Sequence, residues 1–132
     1  MAGFELGVVY VTKDERRVQL HELSIVFAVV RTVERLAKQN GLTKIDTLVL
    51  QIGELSSVVP RYIEECYPAA VHGTMMQDTT LRIEMLPGNA MCKQCKKAFN
   101  LIKNDGRCPD CGSKDCEILS GKEFMIKEIV AC

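Results

Sequence analysis

The chain has 132 residues and a mass of 14.7 kDa, the size of one ordinary domain or a small domain carrying a smaller one. Hydrophobic residues make up 47% and charged residues 26%, which predicts a folded core and excludes a disordered chain. Lys plus Arg (17) equals Asp plus Glu (17), and a dedicated nucleic-acid or anionic-membrane binder would show a basic excess instead.

Residues 1–19 hold a valine-rich stretch around Val8–Val11 that could make a short strand, then a solvated charge run from Lys13 to Arg17. From His21 a helix is predicted. Leu23, Val26, Phe27, Val30, Val33 and Ala37 recur at three- and four-residue steps, with Arg31, Glu34, Arg35 and Lys38 on the other side. Asn40-Gly41 stops it. A strand is predicted at about 44–52, with Leu48, Leu50 and Ile52 facing one way. Gly53-Glu54-Leu55-Ser56-Ser57 is a turn, and Pro60 suits the first turn of a second helix, about 60–71. Leu81, Ile83 and Met85 alternate with Thr80, Arg82 and Glu84 as a half-buried strand that Pro87-Gly88-Asn89 ends. A cysteine-rich module occupies about 90–120, and a last strand covers about 123–130.

The expected fold is therefore α+β: a small three-stranded sheet covered by two helices, with a four-cysteine ribbon inserted before the last strand. The chain divides into residues 1–19, an N-terminal extension; residues 20–87 and 121–132, the α+β domain; and residues 88–120, the ribbon. The longest unbroken apolar run, Ile25–Val30, is far short of the roughly 20 residues a spanning helix needs. Glu5 precedes any basic residue, so a secretory signal is not expected, and cytoplasm is the working location.

Five of the seven cysteines crowd into Cys92–Cys116, which in a chain without an export signal points to metal rather than disulfides. Cys92-x-x-Cys95 and Cys108-Pro109-Asp110-Cys111 are separated by twelve residues. A two-residue gap turns both sulfurs of a tight knuckle toward one point, and two knuckles complete a tetrahedral four-sulfur site. Zinc is the first choice. Iron is the rival, since a rubredoxin also uses a Cys-Pro-x-Cys-Gly knuckle. Its knuckles are usually further apart and packed by aromatics, whereas Phe99 is the only aromatic between Cys92 and Cys116. A closed four-thiolate zinc has no open position, so it is structural and not catalytic. Cys116 is read as a partly buried thiol with a lesser claim as a substitute ligand, Cys66 as a small core residue, and Cys132 as a mobile terminal one.

Only two histidines exist. His72, at the end of the second helix, reads as a surface residue. His21 opens the first helix, and from the residues alone it reads as a helix-start polar group with Glu22 favourable beside it. In sequence order, His21-Glu22-Leu23-Ser24-Ile25, Ile52-Gly53-Glu54-Leu55-Ser56 and the two knuckles, the second as Cys108-Pro109-x-Cys111-Gly112-Ser113, together resemble the hydrogenase-maturation nickel metallochaperones, the HypA family. The resemblance runs from about residue 20 to residue 130. It implies a nickel-binding domain of helices on a small sheet with a zinc ribbon projecting from it. It also implies that His21 holds Ni2+, that Glu22 orients or supplements that site, and that Cys92, Cys95, Cys108 and Cys111 hold structural Zn2+. The implied activity is non-enzymatic: nickel is handed to the large subunit of nickel–iron hydrogenase with a GTPase partner, and some members also serve urease. A homodimer stays open. Some family members carry an acidic residue before the second helix, where this chain has Val58-Val59-Pro60-Arg61.

The planar, nitrogen-rich coordination that nickel accepts fits this pattern. A free α-amine, the amide of a second-position histidine and its imidazole fill three corners of a plane. In this chain Leu20 precedes His21 and supplies an ordinary peptide nitrogen, a far poorer ligand. Leu20 stands where the family has its initiator methionine. A TTG codon would read as leucine within a gene and start translation as methionine, and Arg16-Arg17 could be written as a ribosome-binding AGG-AGG. The working protein is thus expected to begin at residue 20, against the alternative of a genuine extension with an added edge strand. The competing function is a zinc-ribbon adaptor binding protein or nucleic acid, supported only by Lys93, Lys96, Lys97 and Lys103. Few aromatics stand near those lysines for base stacking, so nucleic acid is not expected.

Overall fold

The computed structural model describes residues 2–5 and 18–131, with side chains from Glu22 onward. In chain order the elements are β1 (Ala2–Glu5), α1 (Val18–Gln39), β2 (Ile45–Gly53), α2 (Pro60–Val71), β3 (Thr80–Leu86), β4 (Asn89–Cys92), β5 (Ala98–Asn100), β6 (Cys116–Ile118) and β7 (Phe124–Ala131). They form two sheets, one of order β1-β7-β2-β3 and one of order β5-β4-β6. The fold is α+β. The three expected strands of the larger sheet are β2, β3 and β7, and a fourth, β1, lies outside β7. The valine stretch at 8–11 falls outside the described residues.

Chain order explains the sheet. Strands β2 and β3 are parallel, which requires a crossover, and α2 supplies it. Strand β7 returns antiparallel along the other edge of β2, so the ribbon is inserted between two strands of one sheet. A register shift between Val49 and Leu50 bulges β7 at Lys127, whose ammonium crosses β2 to donate to Glu84 on β3 (2.8 Å).

Burial follows the periodicities. Leu48, Leu50 and Ile52 on β2 face α1 and α2, joined by Ile126 and Ile129 of β7. On α1 the buried stripe is Ile25, Val26, Val29, Val30, Val33 and Ala37. Phe27, expected on that stripe, is 38% exposed, because the stripe runs through Ile25 and Val29, two residues to either side of it. The helix ends as its sequence requires: Gly41 takes φ +66°, and the Leu42 N–H donates to the Ala37 carbonyl (2.8 Å). Helix α2 opens with Pro60 after Val59 and lacks a side-chain cap. A buried relay ties it to the sheet: the Tyr67 hydroxyl donates to the Thr79 carbonyl (3.1 Å), and the Thr79 hydroxyl donates to the Ile45 carbonyl (2.7 Å).

Candidate metal centre

Sequence alone brought four cysteines to one point, and the structure does the same. The sulfurs of Cys92, Cys95, Cys108 and Cys111 all lie within 4.8 Å of one another. A tetrahedral zinc with bonds of roughly 2.3 Å needs sulfurs roughly 3.8 Å apart, so the cluster fits the ion. Cys92 Sγ is 3.5 Å from Cys111 Sγ, and Cys95 Sγ is 3.4 Å from Cys108 Sγ. Cys92 and Cys108 are buried while Cys95 and Cys111 face solvent. Cys116 pairs with Cys92 across β4 and β6 and packs against the ribbon's small core, outside the four-sulfur cluster.

The two knuckles are built alike. In the first, the Lys96 N–H donates to the Cys92 carbonyl (2.9 Å) and the Cys92 N–H to the Lys97 carbonyl (2.8 Å). In the second, the Gly112 N–H donates to the Cys108 carbonyl (2.9 Å) and the Cys108 N–H to the Ser113 carbonyl (3.0 Å). The residue after each second cysteine is left-handed: Lys96 at φ 64° and Gly112 at φ 73°. Glycine takes that conformation freely and lysine does not, so the knuckles share a shape that only the second was composed for.

Backbone amides aim at the sulfurs and set their acidity. The Cys95 and Gln94 amides lower the Cys92 thiol to about 7 against the opposition of burial. The Cys111 amide, with help from Asp110, lowers Cys108 in the same way. The Lys97 amide pulls Cys95 down, but bonding to Cys108, burial and the other two sulfurs outweigh it, and that thiol stands at about 12. The Ser113 amide likewise fails to offset Cys92 and burial at Cys111, which is raised. In each knuckle the first cysteine is therefore the more acidic thiol and the second the less acidic one, because neighbouring sulfurs compete for the same amides and charge. Cys92, Cys95, Cys108 and Cys111 would hold a dication there, and it would supply the cross-link between the knuckles and the balancing charge.

Two contacts around the cluster escaped the sequence reading. Lys97 Nζ lies 3.0 Å from Asp110, and Lys93 Nζ lies 3.7 Å from Asp115, so two of the first knuckle's three lysines reach acids in or just after the second. The signal was present, since both lysines flank ligands and both aspartates follow in the second half. Two of the four lysines that supported a nucleic-acid surface are thereby ion-paired.

The other predicted ligands sit at the opposite end of the chain. Helix α1 begins at Val18, so His21 and Glu22 lie about one turn inside it rather than at its first residues. The His21 side chain is outside the described residues. Glu22 is wholly buried, the one charged side chain so placed among the described residues. Its carboxylate comes close enough to Cys66 on α2 that, after burial itself, it is the main influence raising that thiol, with Glu65 adding to it. Reading Glu22 as a favourable first-turn charge missed this, because only the packing of α1 on α2 turns that position inward. His72 is exposed at the end of α2, as expected.

Residues 20–131 match the family model described as hydrogenase/urease nickel incorporation, metallochaperone, hypA. The chain belongs to the HypA family. Hydrogenase maturation factor HypA of Dechloromonas aromatica is 36% identical over 110 residues, which are 83% of this chain and 97% of that relative. The HypA of Rhizobium leguminosarum bv. viciae matches with the same identity and coverage. Among solved structures, the solution structure of the Ni metallochaperone HypA from Helicobacter pylori superposes with a TM-score of 0.59 at 26% identity, covering 83% of this chain and 96% of that one. A second HypA solution structure reaches a TM-score of 0.64 at 27% identity, covering 86% and 97%. HypA proteins are metallochaperones and not enzymes, and the four-sulfur cluster fits that kind of protein: a metal held by all four sulfurs would leave no position for a substrate. Among the described residues no helix is long and apolar enough to cross a membrane.

Proposed function

We propose that this chain carries Ni2+ near the start of α1, at His21, and delivers it during maturation of nickel–iron hydrogenase, while Zn2+ stays in the ribbon as a structural ion. One observation carries the reading. The four sulfurs close a complete shell, so a cargo metal needs a second site, and the family match opens one residue before His21. His21 supplies the imidazole and Glu22 the neighbouring carboxylate. Glu22 is held in the packed contact between α1 and α2, which supports a fixed rather than a floppy ligand end. A few ligands at a chain end also release an ion more readily than a buried cage does.

The donor set favours a chain that opens at residue 20, where a methionine α-amine would stand directly ahead of His21. The described strand Ala2–Glu5, paired with β7, supports the other reading, in which residues 1–19 add an edge strand. Hydrogenase is the client named by the curated relatives, and urease shares the family description. The large subunit of the client and a nickel-handling GTPase are the partners this role requires. Cysteines gathered for a metal rather than paired in disulfides suit the cytoplasm.

Equilibrium dialysis against both metals tests the assignment. The zinc-loaded chain is expected to bind one exchangeable nickel, His21→Ala to abolish that nickel, and both to keep one zinc. Nickel that survives His21→Ala but vanishes with Cys92→Ala would overturn the separate sites. A chain beginning Met-His21-Glu22 is expected to bind nickel more tightly than the full-length chain.

A further inference from the structure

The Gly53-Glu54-Leu55 stretch at the end of β2 has no part in either metal site, yet it lies where the ribbon joins the body. Three consecutive amides of this turn donate to the segments that lead into and out of the ribbon, the end of β3 and the connection before β7. The Gly53 N–H donates to the Glu123 carbonyl (2.7 Å), the Glu54 N–H to the Leu86 carbonyl (2.8 Å), and the Leu55 N–H to the Gly121 carbonyl (2.7 Å). The outgoing and returning connections are also tied to each other, through the Ser120 hydroxyl donating to the Pro87 carbonyl (2.9 Å).

Three buried glycines make this crossing possible. A Cβ on Gly53 would run into the carbonyl of Gly121. A Cβ on Gly121 would lie 2.5 Å from the Cα of Gly88 and 2.9 Å from the Pro87 carbonyl oxygen, and Gly121 is held at φ +101°, where other residues are strained. A Cβ on Gly88 would lie 2.5 Å from the Leu55 side chain, which is wedged against it. Each glycine thus abuts another glycine or the turn itself, with no room for a methyl group. The Gly121 N–H is also held, donating to the Glu123 carboxylate (2.8 Å).

We propose that the Gly53-Glu54-Leu55 turn, seated on Gly88 and Gly121, is a clamp that fixes the zinc ribbon as a rigid arm of the α+β body. Two covalent connections alone would let the ribbon swing, and burying three glycines against hydrogen-bonded backbone removes that freedom. A partner that grips the ribbon therefore meets the body at a set angle. This holds wherever nickel binds, so it stands or falls apart from the proposed cargo site.

Backbone amide relaxation measured by NMR on the zinc-loaded chain tests the clamp, because it reports the tumbling of the ribbon and of the body separately. The wild-type ribbon and body are expected to share one rotational diffusion tensor. Gly53→Ala and Gly121→Ala are expected to lose that common tumbling, with the ribbon reorienting faster while zinc stoichiometry and the body's amide shifts away from the joint stay unchanged. Leu55→Ala removes the wedge without forcing the backbone apart and is expected to loosen the ribbon partially. Gly73→Ala, in open space after α2, is expected to change nothing at the joint. Independent tumbling of the wild-type ribbon would overturn the proposal whether or not the glycine variants fold. Common tumbling retained in a folded Gly53→Ala or Gly121→Ala chain would overturn the role given to the glycines.

Discussion

In the α+β body nineteen buried residues from both helices, two strands and the loops around α2 make one continuous core. In the ribbon the corresponding cluster is Ala90, Cys92, Phe99 and Cys108, and two of those four belong to the four-sulfur cluster. Water exclusion can hold the first region together and cannot hold the second, whose short strands have almost nothing apolar to bury. The ribbon's shape comes instead from its knuckle hydrogen bonds and from the ion its sulfurs are arranged to bind. Two halves of one small chain therefore respond to different perturbations.

The largest effect expected from this contrast follows removal of the metal. Structural zinc contributes an apparent ~10–16 kcal/mol in small zinc-folded peptides, far more than the ribbon's apolar cluster can supply. Chelation, or Cys108→Ala, is expected to collapse amide chemical-shift dispersion over residues 89–119 and open them to proteolysis. The resonances of α1, α2, β2 and β3 should persist. Loss of the body together with the ribbon would show that the two regions are not separately stabilised.

A smaller effect works in the opposite direction. Ile63 on α2 is fully buried, and Ile63→Ala leaves a cavity there. Such truncations cost about 2–5 kcal/mol. Chemical denaturation followed by circular dichroism should show that loss, with zinc stoichiometry unchanged. Zinc lost in native buffer from this variant would contradict the separation of the two regions.

The smallest effect concerns the relay through Tyr67. Tyr67→Phe removes its hydrogen bond to the buried segment at Thr79, at a cost of about 1 kcal/mol in the body alone. Burial holds the Tyr67 hydroxyl at about 12, above its ordinary 10.0, so the unfolded chain ionises first. The stability tied to the neutral phenol is complete below about pH 10 and declines as pH rises toward 12. Denaturation midpoints across that window should fall more steeply for the wild type than for Tyr67→Phe. Parallel curves would remove Tyr67 from the relay.

The same contrast explains what could be read from the sequence. Helix α2 carries its start signal at Pro60, and the paired knuckles carry their geometry in a two-residue gap, so both were legible to the residue. Phe27 misled, because a helical stripe can be drawn through several residue sets and only packing on β2 chooses Ile25 and Val29. Glu22 misled for a related reason: its inward position depends on where α2 lies, a long-range fact that no local pattern encodes. Gly53 and Gly88 were visible as turn residues, and Gly121 carried no signal of its own. Their mutual contact was not visible, since Gly53, Gly88 and Gly121 come from three distant segments. Lys96 is the reverse case, a residue whose left-handed backbone its own chemistry argues against and the knuckle imposes.

The central claim is that cargo and structural metals occupy different donor sets in one chain. X-ray absorption at the nickel and zinc edges of the same dual-loaded sample tests it most directly. The account predicts a nickel shell of nitrogen and oxygen donors with no sulfur, beside a zinc shell of four sulfurs. Sulfur in the nickel shell, matched by loss of sulfur around zinc, would place the cargo in the ribbon and contradict the account.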